Sequence, residues 1–217
     1  MNLHASSPGR RLARILAAVM AVVVALASGW VAPAALQADE LRVAVASNFR
    51  QAMAATAQRF EEVSGHAVVL IPGSTGKHYA QIRNGAPYDA FFAADADKPR
   101  RLEEERRIVP GSRFTYAIGR LVLWSADPAL VDAAGEVLQS DRFRHLAIAN
   151  PDLAPYGAAA RAVLQALGLW EGLAPKLVRG ENIEQTFQFI ISGNAERGFT
   201  ARSQLEAPGR ACGGPSW

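Results

Sequence analysis

Apolar residues follow two alternating patterns along the chain from residue 39 onward. Residues 41–46 form a short apolar run that predicts a buried strand, and the stretch that follows has apolar residues three or four positions apart until Gly65. The same order returns in the β-branched run at 67–71 and in the amphipathic stretch that ends at Asn84-Gly85. Strands that alternate with helices predict an α/β fold in which mostly parallel sheets are covered by helices on both faces.

The second half of the chain continues this alternation beyond one long apolar stretch. Residues 114–125 are unusually long for a strand, so we expect them to cross between two lobes. The other predicted elements are strands at 89–94, 146–149, 176–179 and 198–201, a proline-interrupted loop at 150–156, and helices at 97–107, at 157–167 and from Glu181-Asn182 onward.

The first 38 residues have a different pattern, which predicts a cleaved secretory signal. Arg10, Arg11 and Arg14 precede an apolar run at 15–27, and small residues lead to Ala38. The apolar run is shorter than the roughly 20 residues of a membrane span, although an uncleaved anchor stays an alternative and the arginine pair also allows a twin-arginine signal. We therefore expect export, most simply to a bacterial periplasm.

Charge narrows the range of partners. The chain has 23 lysines and arginines against 20 acids, and residues 1–38 hold three of the arginines and no acid, so the remainder has 20 of each. Without clustered positive charge, nucleic acid is not an expected partner. Cys212 is the single cysteine, so neither an internal disulfide nor a cysteine-based metal site is expected.

The first two predicted strands both end in small hydroxyl or amide residues where a helix starts. These junctions are Ala46-Ser47-Asn48 and Gly73-Ser74-Thr75-Gly76. The first N–H groups of a helix have no partner inside the helix, and the helix dipole adds positive charge there, so each junction predicts an anion site. Ligands of such sheets collect beyond the carboxyl ends of the strands. Four loops qualify by this rule, at Ser47, Ser74, Tyr156 and Asn182.

The same residues allow other interpretations. Ser47-Asn48 and Ser74-Thr75 are common helix-capping residues and could have no further role. Ser74 is also a candidate nucleophile of a secreted serine hydrolase, although no G-x-S-x-G motif surrounds it and the histidines have no evident aspartate partner. A phosphate-binding loop is rejected, because Ile71 stands where its first glycine should be.

Several short motifs follow one another in a fixed order between residues 41 and 205. They are Ala46-Ser47-Asn48, Gly73-Ser74-Thr75-Gly76, the segments 79–88, 89–95 and 116–125, Ala149-Asn150-Pro151 with Ala154-Pro155-Tyr156-Gly157, and the segments 192–195 and 198–199. In this order they resemble the periplasmic molybdate-binding proteins of ABC transporters.

The resemblance implies a two-lobe type II periplasmic binding protein of the α/β class. Its lobes would be residues 39–117 and 118–200, followed at 201–217 by a return segment shorter than the one usual in the family. Such a protein closes on its ligand by hinge motion, acts as a monomer, needs no cofactor, catalyses nothing and delivers the ligand to an ABC permease in the membrane.

The resemblance also places the ligand contacts. They fall on Ser47, Asn48, Ser74 or Thr75, Tyr156, and the backbone amide of Ile183. Some family members use a tyrosine in the strand that here holds Ala201. Alanine has no hydroxyl to donate, so Tyr156 is expected to supply more of the second lobe's binding to the ligand.

The chemistry of the expected ligand agrees with these residues. Molybdate and tungstate are dianions whose oxygens only accept hydrogen bonds, so hydroxyls, amides and helix-start N–H groups suit them, and the metal atom itself needs no protein ligand. Sulfate has the same charge and geometry, so a receptor for sulfate or another oxyanion stays an alternative.

Overall fold

The computed structural model describes residues 39–132, 134–140, 142–206 and 216–217. The predicted signal at 1–38 lies outside these residues, as do Cys212 and most of the predicted return segment. No helix within the described ranges is long and apolar enough to cross a membrane.

The described residues form two sheets, one from each half of the chain. The strands are β1 (Glu40–Ala46), β2 (Ala67–Gly73), β3 (Ala90–Phe92), β4 (Leu121–Trp124), β5 (Leu146–Ala149), β6 (Leu177–Gly180) and β7 (Arg197–Ala201). The first sheet has the order β2-β1-β3 and the second the order β4-β7-β5-β6. Every pairing is parallel except that of β4 with β7. The mostly parallel α/β fold predicted from the sequence is thereby confirmed.

Helices connect the strands as the apolar spacing predicts. They are α1 (Arg50–Ser64), α2 (Thr75–Arg83), α3 (Asp97–Glu104), α4 (Pro155–Ala166), α5 (Trp170–Leu173), α6 (Ile183–Ile191) and α7 (Arg202–Leu205). We call β1–β3 with α1–α3 the first lobe and β4–β7 with α4–α6 the second lobe. The exact lobe boundaries given above stay predictions.

The predicted long strand at 114–125 is wrong for most of its length. Only Leu121–Trp124 is a strand, and residues 114–120 have neither helix nor strand. A strand needs a neighbour to take its hydrogen bonds, and no other described strand pairs with 114–120; Phe114 and Ile118 there are 76% and 89% exposed. The segment still joins the two lobes, and Arg202 N–H donates to Arg120 O at 3.0 Å where the chain crosses back.

Each lobe has its own apolar core. In the first lobe Val43, Val45 and Met53 pack between the sheet and α1. The second lobe has the larger core, in which Leu123, Ile148, Leu164 and Phe199 are among the fully buried members. These cores fix the carboxyl ends of the strands, where the candidate site lies.

Candidate functional site

The carboxyl ends of β1 and β2 place two helix starts side by side. The strands are parallel with Ala46 opposite Gly73, so Ser47 and Ser74 follow directly on neighbouring strands. Ser47 begins a 3-10 turn that leads into α1, and Ser74 is the N-cap residue of α2. Two sets of helix-start N–H groups therefore lie at one edge of the sheet.

The Ser74 hydroxyl is buried without a partner. Ser74 is 2% exposed, its Oγ makes no hydrogen bond, and it does not cap α2 although it stands at the cap position. A buried polar group left unsatisfied costs about 1–3 kcal/mol. The hydroxyl therefore gains from any ligand that brings a hydrogen-bond acceptor.

Thr75, the other candidate in this loop, already has a structural hydrogen bond. Its Oγ1 accepts the N–H of Ala94 at 2.9 Å, and the residue is fully buried. This bond ties α2 to the end of β3. Of the two hydroxyls proposed for the loop, Ser74 is the one with no partner among the described residues.

Tyr156 comes from the second lobe and reaches the first. Pro155 occupies the first position of α4, so the helix starts two residues earlier than predicted and Tyr156 lies in its first turn rather than in a loop. The Asn48 side chain hydrogen-bonds to the Tyr156 hydroxyl, which lies so close to Gly119 that no Cβ would fit there. Burial raises the pKa of Tyr156, and the bond from Asn48 offsets part of that rise. The hydroxyl is protonated at neutral pH and can donate.

Asn48 has a second feature besides its bond to Tyr156. Its Oδ1 is buried without a partner among the described residues. An oxyanion donates no hydrogen bond and cannot satisfy this oxygen, so only the side-chain amide nitrogen of Asn48 can donate to the ligand.

Ile183 is the first residue of α6 and is 3% exposed. The preceding Asn182 caps this helix, because its Oδ1 accepts the amides of Glu184 at 3.0 Å and Gln185 at 3.1 Å. The amide of Ile183 lies outside this cap. It is a third helix-start donor next to the two of the first lobe.

The structure brings the predicted residues of both lobes into one neighbourhood but not into one cavity. Tyr156 and Ile183 pack in a single apolar cluster with Ala94, the residue bonded to Thr75, and α6 contacts the 3-10 turn of Ser47. Ser47 lines a cleft cavity of about 340 Å³ together with Asn182. A wider groove of about 1900 Å³ is lined by Ser47, Asn48 and Tyr156. Ser74, Thr75 and Ile183 line neither and lie buried beside them.

Sequence reasoning missed the contacts between the lobes at the rim of this cleft. Lys77 Nζ lies 3.0 Å from Glu181 Oε1, and Arg50 Nη2 lies 3.3 Å from Glu184 Oε1. Residues more than 100 positions apart leave no local pattern, so no sequence signal could have found these pairs. They pair Lys77 of α2 and Arg50 of α1 with carboxylates of the second lobe.

The geometry does not favour the serine hydrolase alternative. Ser74 Oγ makes no hydrogen bond to a histidine, and His78 Nδ1 instead lies 3.1 Å from Gln81 Oε1. Burial lowers the pKa of His78. Nowhere in the described part of the chain do three or more His, Cys, Asp or Glu side chains form a group that could hold a metal ion.

Comparisons with known proteins agree with one another. The model of the family described as bacterial extracellular solute-binding protein matches residues 41–216. Molybdate-binding protein ModA of Azotobacter vinelandii is 53% identical over 196 residues, which are 90% of this chain and 77% of that protein. The protein of the same name from Rhodobacter capsulatus is 49% identical over 197 residues, or 91% of this chain and 76% of that protein.

Solved structures give the same result. The periplasmic molybdate-binding protein of Azotobacter vinelandii matches with a TM-score of 0.76 and 45% identity, over 82% of this chain and 78% of that one. The sulfate-binding protein SubI of Mycobacterium tuberculosis matches with a TM-score of 0.61 at 13% identity, over 82% of this chain and 69% of that one. At that identity the second match concerns the fold alone.

Proposed function

We propose, from the premise that this chain belongs to the bacterial extracellular solute-binding proteins and within them to the periplasmic molybdate-binding family, that it captures molybdate or tungstate outside the cytoplasm. It then delivers the dianion to an ABC permease. The protein acts in the periplasm as a transport receptor with no catalytic step and no cofactor. The protein holds the oxyanion through its oxygens. The residues proposed to do so are Ser47, Asn48, Ser74, Thr75, Tyr156 and Ile183.

One observation carries this proposal. Ser74 Oγ is a buried hydroxyl without a partner, at a helix start whose neighbours on β1 and α6 are two further helix starts. All three bring N–H or O–H donors, and the nearby cations Arg50 and Lys77 are paired with glutamates. Such a set suits an anion that only accepts hydrogen bonds.

The strength of such a site is sufficient for a transport receptor. A hydrogen bond to a charged group contributes about 1.5–3 kcal/mol, so five or six of them give roughly 8–18 kcal/mol before costs. Ordering of side chains and desolvation remove part of this. The remainder corresponds to dissociation constants in the micromolar to nanomolar range.

A calorimetric titration against molybdate, tungstate, sulfate and phosphate tests the proposal. We expect tight binding of molybdate and tungstate and weak or no binding of the other two. Tight binding of sulfate without binding of molybdate would overturn the choice of ligand. Ester hydrolysis that disappears in Ser74→Ala would instead support the hydrolase.

Removal of the Tyr156 hydroxyl is expected to weaken molybdate binding about tenfold, since one donor to a desolvated dianion is lost, at about 1.5 kcal/mol. Tyr156→Phe keeps the ring in its cluster, so the denaturation midpoint should change little. The Kd from calorimetry measures the effect. Tyr88→Phe, which removes a hydroxyl bonded to Gln81 in the first lobe, is the matched control and should bind like the unmodified protein. Equal Kd values for both variants would exclude Tyr156 as a ligand contact.

The affinity for molybdate is expected to be constant between about pH 6 and about pH 9, because hydroxyl and amide donors do not titrate there. Burial raises the pKa of Tyr156 above its usual 10.0 and that of its neighbour Tyr116 to about 12. Only above these values would a phenolate replace the donor and repel the dianion, so affinity should fall in strong alkali.

Titrations at fixed ionic strength across this range give the pH profile. In Tyr156→Phe, the loss of molybdate affinity that ionisation of Tyr156 causes at high pH should be absent. A step near the usual histidine pKa of about 6.5 would contradict the proposal, since it would require a charged imidazole in the site.

A further inference from the structure

The two lobes are in backbone contact at Gly76, in the first turn of α2. Its N–H donates to the carbonyl oxygen of Leu153 in the second lobe at 2.8 Å. A Cβ at residue 76 would lie 2.8 Å from that oxygen and 3.1 Å from Leu153 Cα. Because both are backbone atoms, rotation of a side chain cannot make room. The lobes reach this contact only because residue 76 is glycine.

The two ion pairs at the cleft rim join the two lobes and have the same polarity. Lys77 pairs with Glu181 at 3.0 Å and Arg50 with Glu184 at 3.3 Å, and in both the cation belongs to the first lobe. The Lys77 and Glu181 side chains are 52% and 44% exposed, so a single pair of this kind contributes little. Both pairs nevertheless form only when the lobes are together, and both are lost when they separate.

We propose that these contacts form a latch that holds the lobes closed and sets how slowly the oxyanion leaves. The cleft latch consists of the contacts Gly76–Leu153, Lys77–Glu181 and Arg50–Glu184. Its role in retaining molybdate rests on the function proposed above, whereas its effect on closure of the ligand-free protein does not.

The latch also changes the charge that the first lobe presents. When the lobes separate, Lys77 and Arg50 leave their glutamates, and positive charge stands beside the helix starts at Ser47 and Ser74. An approaching dianion is attracted to that charge, which accelerates association at low salt. On closure the same cations return to Glu181 and Glu184. The open protein therefore favours capture and the closed protein favours retention.

Gly76→Ala in the full chain tests the latch. Alanine forms helix better than glycine, so α2 should keep its fold, while the lobes can no longer close fully. We expect molybdate release, followed by stopped-flow tryptophan fluorescence, to be at least about tenfold faster, since loss of interface contacts acts mainly on the off-rate. Amide hydrogen exchange of the ligand-free protein should be faster in peptides that cover 74–78 and 150–154.

Gly172→Ala in α5 is the matched control. A Cβ added at Gly172 has no neighbour within 4 Å in the described ranges, so this variant should release ligand and exchange amides like the unmodified protein. Unchanged release and exchange in Gly76→Ala would overturn the latch.

The ion pairs supply an independent test that needs no change at Gly76. Lys77→Gln and Glu181→Gln should each accelerate release about two- to fivefold, in line with an exposed pair. The reversed pair, Lys77→Glu with Glu181→Lys, should restore most of the slow release. Association at low salt should be slower in the reversed pair, because the open first lobe then presents a negative charge. Release that stays as fast in the reversed pair as in the single variants would overturn the place of Lys77 in the latch.

The two proposals can fail separately. If the unmodified protein binds neither molybdate nor tungstate, the proposed function is wrong, yet the exchange rates of the ligand-free variants still decide whether the latch exists. If Gly76→Ala does not fold, the charge variants decide, and absence of any effect in them would overturn the latch.

Discussion

Ser74→Ala is expected to weaken molybdate binding about ten- to hundredfold while leaving the ligand-free protein as stable as before or slightly more stable. The hydroxyl is buried and has no partner in the part of the chain that the structure describes, so its removal takes away an unsatisfied group rather than a bond. With the dianion bound, the same removal forfeits a charge-assisted hydrogen bond of about 1.5–3 kcal/mol. Binding and stability should therefore change in opposite directions.

This outcome separates a ligand contact from a helix cap. Loss of a working N-cap costs about 0.5–2 kcal/mol of stability, and Ser74 would show that cost if it capped α2. Asn182→Ala provides the comparison, since Asn182 accepts two amides of α6 and should lose stability on substitution. Urea denaturation of the ligand-free variants and calorimetry of their complexes supply both quantities. A destabilised Ser74→Ala protein with normal Kd would show that Ser74 is only a cap.

Local features of the sequence were sufficient to predict most of the fold. Gly65 ends α1 in a left-handed conformation at φ 74°, where glycine has little steric cost, so the helix end was visible in the sequence. The strand at Leu146–Ala149 has the predicted bounds, because it is an apolar run buried on both faces. Each depends on residues that are neighbours in the chain.

Features that depend on distant neighbours could not be predicted in this way. Residues 114–120 have the apolar content of a strand, but a strand also needs a pairing partner, and apolar content does not reveal one. The start of α4 was placed too late, since Pro155 was treated as a loop residue although the first helical position tolerates proline.

The candidate site shows the same difference between local features and features that depend on distant residues. Ser47 and Ser74 could be named because a hydroxyl after a buried strand is a local signal, and the register of β1 with β2 then places them together. The hydrogen bond of Thr75 to Ala94 and that of Asn48 to Tyr156 join separate elements, so the sequence gives no sign of them. The ligand contacts themselves stay predictions until binding is measured.

The position of Tyr156 depends on a close contact one residue further along α4. A Cβ on Gly157 would press against Ala149 O and lie 2.7 Å from the carbonyl carbons of Ala149 and Asn150. These are backbone atoms at the end of β5, in the core of the second lobe, and cannot turn aside. The start of α4 can therefore pack on this strand only with glycine at 157.

We therefore expect Gly157→Ala to weaken molybdate binding more than any of the single substitutions proposed above. Overpacking of this kind costs about 1–3 kcal/mol of stability, and the displaced helix start carries Tyr156 and the 150–154 loop away from the first lobe. Because a binding site tolerates errors of only about 0.5 Å, several contacts should be lost at once. We expect molybdate affinity to fall by about hundredfold or more, or about 3 kcal/mol.

Calorimetry and urea denaturation measure the two losses, with Gly172→Ala as the neutral comparison. A Gly157→Ala protein that matches the unmodified one in Kd and midpoint would mean that α4 can shift freely, and that its packing on β5 does not position Tyr156.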